Sequence, residues 1–138
     1  MIDFNSITEF KLEDESEVSK WISSIISAEG FEEGEISYVF CDDEYLLKLN
    51  VEFLDHDTLT DIISFDYSLG KQIHGEIYIS TERVLENASE FETSFTNELH
   101  RVIIHGILHY CGYKDKTEQD KLIMRKKEET SLFERTFL

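Results

Sequence analysis

The chain has 138 residues, 41% of them hydrophobic and none of them proline, with two cysteines and a formal net charge of -17. That is enough apolar material for one domain with its own core, and not the composition of a disulfide-stapled miniprotein. The N-terminal Met1-Ile2-Asp3-Phe4 lacks the basic-then-apolar order of a signal peptide, no apolar run nears the ~20 residues that span a bilayer, and Cys41 and Cys111 have no C-x-x-C neighbour, which together point to a cytoplasmic protein with free thiols.

In chain order, Ile2 to Phe4 suits a short edge strand, and Leu12 to Glu29 reads as a helix because Val18, Trp21, Ile22, Ile25 and Ile26 recur on one stripe. Glu35 to Cys41 is rich in β-branched and aromatic residues, as a strand requires. Asp42 and Asp43 are N-cap residues for a helix in which Tyr45, Leu46, Leu49 and Phe53 form the apolar face. Asp55, His56 and Asp57 read as a polar turn. Ile62 to Phe65 and Ile73 to Ser80 then form a hairpin around a turn at Gly70, placing Ile73, Gly75, Ile77 and Ile79 on one side and His74, Glu76, Tyr78 and Ser80 on the other. Thr81 is the expected cap of a helix to Phe91, Thr93 to Cys111 is a longer helix with Leu99, Val102, Ile103, Ile107 and Leu108 inward, and Thr117 with Asp120 opens a charged terminal helix to Phe133. The order β-α-β-α-β-β-α-α-α predicts an α/β fold: a single domain, residues 1–138, with a small mixed β-sheet covered by helices.

The chemistry concentrates in the long helix and the turn after it, His105-Gly106-Ile107-Leu108-His109-Tyr110-Cys111-Gly112-Tyr113-Lys114-Asp115. Four residues turn a helix by about 40° beyond a full circle, so His105 and His109 share a face and can bind one metal. Gly112 can end the helix in a left-handed conformation, and the next residues are long enough to return Asp115 to the imidazoles. Two His and one Asp leave a coordination position open for water or substrate. A glutamate directly after the first histidine would mark a zincin peptidase; Gly106 stands there instead. His74 and His100 are read as solvent-exposed or structural. Glu76 and Asp61 are candidates to orient a ligand imidazole or accept a proton, with a turn or capping role equally open to Asp61.

Strong acidity ordinarily argues against a nucleic-acid partner, but residues 100–127 hold seven Lys and Arg against three Asp and Glu. This segment is either a local positive strip beside the metal site or a solvated face of ordinary charge pairs.

The motif resembles the H-G-x-L-H-x-x-G-Y-D-H signature of the YbeY-type rRNA maturation factors, matched in register by His105, Gly106, Leu108, His109, Gly112 and Tyr113. Upstream, Leu49, Asn50, Phe53, Asp57, Thr60, Asp61, Ser64 and Phe65, then Gly75, Glu76, Ile77, Ile79 and Ser80, follow two further blocks of that family's pattern. The resemblance implies a metal-dependent, single-strand-specific endoribonuclease that matures the 3′ end of 16S rRNA and serves ribosome quality control. It implies one zinc ion held by His105, His109 and Asp115, where Asp115 stands at the family's third histidine. Two nitrogens and one oxygen make a harder donor set, which admits another divalent metal. The family's phosphate-contacting arginine is Leu54 here and cannot donate to phosphate. His105, Arg101 and Lys114 are the expected catalytic set; either Arg101, Lys114 or Lys116 supplies the missing charge, or nuclease activity is weaker or absent. The implied partners are single-stranded rRNA and the small ribosomal subunit, with a ribosomal protein or GTPase also in view and no membrane. A rival reading is a non-catalytic, metal-binding ribosome-assembly factor, and a third is a metal-dependent hydrolase of another small substrate.

Overall fold

The computed structural model describes residues 1–55 and 59–138. Its elements are β1 (Ile2–Ser6), α1 (Glu15–Ala28), β2 (Glu32–Cys41), α2 (Asp43–Leu54), β3 (Ile62–Asp66), β4 (Gln72–Ser80), α3 (Thr81–Glu90), α4 (Phe95–Tyr110) and α5 (Glu118–Phe133), the order expected from the sequence. The strands form one mixed sheet in the order β1-β2-β4-β3. β1 and β4 run parallel to β2, while β3 pairs antiparallel with β4 as the hairpin.

Several boundaries moved for local reasons. β2 begins at Glu32 rather than Glu35 because a register shift between Glu33 and Ile36 lets the strand continue past an irregularity. The cap of α3 is Ser80, whose hydroxyl accepts the Arg83 N–H at 3.2 Å, rather than Thr81. Strand β4 runs into α3 without a loop, so the last strand residue does the capping. The Thr117–Asp120 capping box at the start of α5 is present as expected.

Alternation along the strands divides the sheet into two faces. Ile36, Tyr38, Phe40, Ile73, Ile77 and Ile79 meet α1 and α4 in the main core, and Cys41, Leu46 and Ile63 form a smaller core under α2. Burial pushes the thiols of Cys41 and Cys111 up to about 12, so both are inert free cysteines. Among the described residues no helix is long and apolar enough to cross a membrane.

Helix α4 is the element that places the site. A Cβ on Gly106 would press on Ile77 Cδ1 at 3.1 Å and Ile62 Cδ1 at 3.2 Å, so the glycine lets the helix lie close on the sheet beside the start of β3. At its far end the Tyr110 hydroxyl donates to the Phe65 carbonyl at 2.9 Å. From the other side α5 packs along α4 and is tied to α1 by the Trp21 indole N–H, which donates to the Ser131 carbonyl at 2.8 Å.

Candidate metal centre

Helix α4 starts at Ser94, whose hydroxyl accepts the Asn97 N–H at 3.0 Å. It ends in a Schellman turn: the Gly112 N–H reaches the His109 carbonyl at 3.0 Å, the Tyr113 N–H reaches the Leu108 carbonyl at 3.1 Å, and Gly112 takes φ +100°. That reversal carries Asp115 back over the last helical turn. Its Oδ2 lies 3.3 Å from His105 Nε2 and 3.3 Å from His109 Nε2, and the two Nε2 atoms are 3.0 Å apart. Ligand atoms bound tetrahedrally at ~2.0–2.1 Å stand about 3.3 Å from one another, so the triangle already has the dimensions of three corners of a metal tetrahedron.

Each imidazole is fixed through its other nitrogen. His105 Nδ1–H donates to Glu128 Oε2 at 2.6 Å, and His109 Nδ1–H donates to the Tyr113 carbonyl at 2.9 Å. Both partners can only accept, so in the neutral rings both Nε2 atoms carry lone pairs aimed at each other and at a carboxylate oxygen. Such a convergence of lone pairs is unfavourable without a cation. The donor set therefore fits a divalent ion, and its mixed nitrogen and oxygen character suits zinc or a somewhat harder metal.

The triad opens into a cavity of about 430 Å³ between β3, α3, α4 and α5. Its wall is unusually acidic. Burial alone would raise Glu128, but hydrogen bonds from His105 and Arg101 outweigh it and hold the group below the usual carboxylate range. Burial likewise pulls His105 down, and the Glu128 hydrogen bond with the charges of Glu128, Asp115 and Asp61 reverses this, leaving the metal-free ring above its ordinary value. Asp61 and Glu98 move the other way: burial raises both, against the opposing charge of His105 and Arg101 respectively.

The sequence expectations fare unevenly here. His105, His109 and Asp115 meet at one point. Arg101 lines the cavity but is already answered by three carboxylates, Glu129 at 2.7 Å, Glu128 at 3.2 Å and Glu98 at 3.6 Å. Lys114 and Lys116 are exposed on the turn and line neither the cavity nor the hollow beside it. Asp61 does enter the cavity, with Asn87 Nδ2 at 3.5 Å from its Oδ2. Glu76 does not: strand alternation puts it on the other face of the sheet, where it accepts from the Tyr67 hydroxyl at 3.1 Å and the Tyr78 hydroxyl at 3.4 Å. His74 is structural, its Nδ1 accepting the Glu35 N–H at 3.0 Å, and His100 is buried. Asp55 is the left-handed C-cap of α2, while His56 and Asp57 lie outside the described residues. The basic run is paired with acids just outside it, as Lys127 with Glu29 from α1 and Arg125 with Glu128 three residues on show, and so is less positive than its own composition.

Glu128 was not singled out from the sequence. The signal was present: it falls on the buried stripe of α5 between Met124 and Leu132, and an acid on an apolar helical face calls for a buried partner.

Comparisons with known proteins point to one family. A family model described as Endoribonuclease YbeY matches residues 3–135. A protein named Endoribonuclease YbeY from Flavobacterium psychrophilum is 58% identical over 132 residues, covering 96% of this chain and 94% of that protein. One of the same name from Cytophaga hutchinsonii is 47% identical over 135 residues, covering 97% and 94%. Among solved structures, a Thermotoga maritima protein determined in solution superimposes with a TM-score of 0.67 at 26% identity, over 96% of this chain and 87% of that one.

Proposed function

The chain belongs to the YbeY family of endoribonucleases and is an RNA-cleaving enzyme, and from that premise we propose that it hydrolyses single-stranded rRNA at the His105–His109–Asp115 centre. The observation that carries this reading is the tetrahedral spacing of the three donor atoms, with both imidazoles anchored through Nδ1. A divalent ion held there, zinc first and another divalent metal second, supplies Lewis acidity toward water and toward a phosphoryl oxygen.

The protein's own groups do the rest. Glu128 orients His105 and keeps its Nε2 free to ligate. Asp61, whose burial favours the protonated carboxyl, is the group in the cavity suited to hold or release a proton beside the reacting phosphate. Arg101 fixes Glu128 and Glu129 and thereby braces α4 against α5. Residues 1–138 act as a single domain of this kind in the cytoplasm. The substrate is 3′-terminal 16S rRNA on the small ribosomal subunit, with a ribosomal protein or GTPase meeting the acidic surface.

Purified protein incubated with single-stranded rRNA fragments should cleave them, lose that activity on chelation and regain it when a divalent metal is restored. Asp115→Ala should be inactive. Cleavage indifferent to both chelator and substitution would overturn the reading.

A further inference from the structure

An RNA strand is a polyanion, and the cavity it enters is lined by Asp61, Glu98, Asp115 and Glu128, so a strand longer than the one phosphate at the metal calls for a further cation at the mouth. Arg101 is committed to three carboxylates with its side chain only 13% exposed. Arg125 is placed differently. From α5 it lines both the metal cavity and a shallower hollow of about 220 Å³ that continues past His105 and Asp115. Its side chain is 54% exposed, and it approaches Glu128 only at 3.5 Å. A guanidinium carries five N–H donors in a planar fork, so most of its donors are left for a ligand. Lys121 lines the same hollow; its pairing with Glu118, both groups well exposed and 3.6 Å apart, holds it weakly.

A second hold lies on the α3 part of the rim. Phe91, the C-cap of α3, lines the metal cavity with Asn87 and Asp61 and leaves 55% of its surface exposed. A large ring bared to water at the edge of a polar cavity contributes little to the core, whereas every nucleobase offers a face to stack on it.

We propose that the RNA strand crosses the mouth of the cavity held at two points, a backbone phosphate on Arg125 with Lys121 beside it, and an unpaired base stacked on Phe91. The inference rests on the endoribonuclease reading and gives it a strand path. A base locked in a duplex cannot lie on Phe91, so the ring also selects for unpaired RNA.

The test uses metal-loaded protein, short single-stranded RNA oligonucleotides and versions of them with single abasic positions. Arg125→Gln should raise KM about tenfold with kcat within about twofold, and should flatten the dependence of log KM on log salt by about one phosphate contact. Arg125→Lys should restore part of both. Phe91→Ala should raise KM on the order of tenfold and abolish the penalty that wild type shows for one abasic position. Either Arg125→Gln with wild-type KM and salt slope, or Phe91→Ala with the wild-type abasic penalty, would overturn the proposal. Metal-loaded wild type that cleaves no RNA removes the endoribonuclease reading itself, whereas cleavage with both variants unaffected removes only the strand path.

Discussion

At His100 and at His105 the same helix turns an imidazole toward a neighbouring side chain, an arginine in the first case and a glutamate in the second. His100 is 3% exposed, packs between Trp21 and Phe137, and accepts from Arg135 through Nδ1 at 2.8 Å. Burial, reinforced by the arginine's charge, pulls it down to about 4. His105, about one and a half helical turns further on, is half-buried and donates through Nδ1 to Glu128, which holds its proton on the ring and turns Nε2 toward Asp115. Partner charge thus separates a neutral structural histidine from one whose Nε2 is left free to ligate, on one helix. The partners arrive from the C-terminal region, Glu128 on α5 and Arg135 just beyond it, which makes that segment the part of the fold that assigns the two roles.

The contrast breaks first at the ligands. His105→Ala should abolish bound metal and RNA cleavage, losing more than the about 10- to 100-fold that removal of an outer partner costs, while His100→Asn keeps both. Elemental analysis of unstripped protein beside a cleavage assay checks this. Metal content unchanged in His105→Ala would remove the site.

The next effect is on stability. His100 is lowered in the folded state, so the unfolded chain takes up its proton first, as pH falls through 6.5, while the folded protein resists until about 4. Stability contributed by neutral His100 is therefore present above pH 6.5 and is lost by about 3 kcal/mol on reaching pH 4. The metal-free His105 has the opposite sign: raised in the folded state, it contributes fully below its unfolded value and loses that contribution as pH rises through its folded one. Denaturant unfolding of chelated wild type and His100→Asn isolates the first effect, because the buried carboxyls are common to both. A gap between the two proteins that does not narrow between pH 7 and pH 4 would contradict the neutral assignment.

Glu128→Gln tests the other partner. The amide can still accept from His105 but carries no charge, and it leaves Arg101 and Arg125 facing each other without their shared carboxylate. Metal affinity measured by chelator competition should fall about 10- to 100-fold, with the fold retained. An affinity within error of wild type would reduce Glu128 to a structural acid.

Why the convergence of His105, His109 and Asp115 was legible in the sequence and the pairing of Glu128 with His105 was not is a matter of range. His105, His109, Gly112 and Asp115 are joined by helix geometry and one Schellman turn, both local, so their convergence follows from spacing. The hairpin of β3 and β4 was legible for the same reason. Glu128 reaches His105 only because α5 docks on α4, and that docking is set by tertiary packing such as the Trp21 bond to Ser131. Arg101 shows the converse failure. Its position beside the motif was legible, but the three carboxylates that occupy it come from both helices, and only their packing reveals how little of its charge is left for phosphate. Glu76 failed on face rather than range, since the alternation of β4 had already set it opposite Ile77.

The smallest effect should come from the turn that delivers Asp115. His109 is anchored by a backbone carbonyl, which no substitution removes, so its orientation depends on where the Tyr113 segment lies. That segment is braced from outside the site: the Tyr113 hydroxyl donates to Glu29 Oε1 at 2.8 Å, and Lys127 holds Glu29 Oε2 at 3.1 Å while lying over the Tyr113 ring. Tyr113→Phe removes one half-buried hydrogen bond to a charged group and keeps the ring, so it should cost about 1 kcal/mol of stability. Metal affinity should fall by less than the about tenfold lower bound expected for Glu128→Gln, because the Schellman bonds still fix the carbonyl. Thermal melting and the same chelator competition give both numbers. Should Tyr113→Phe instead match Glu128→Gln in lost affinity, the site would depend on the placement of its turn more than on the charge beside His105, and the two histidines of α4 would differ by position before they differ by partner.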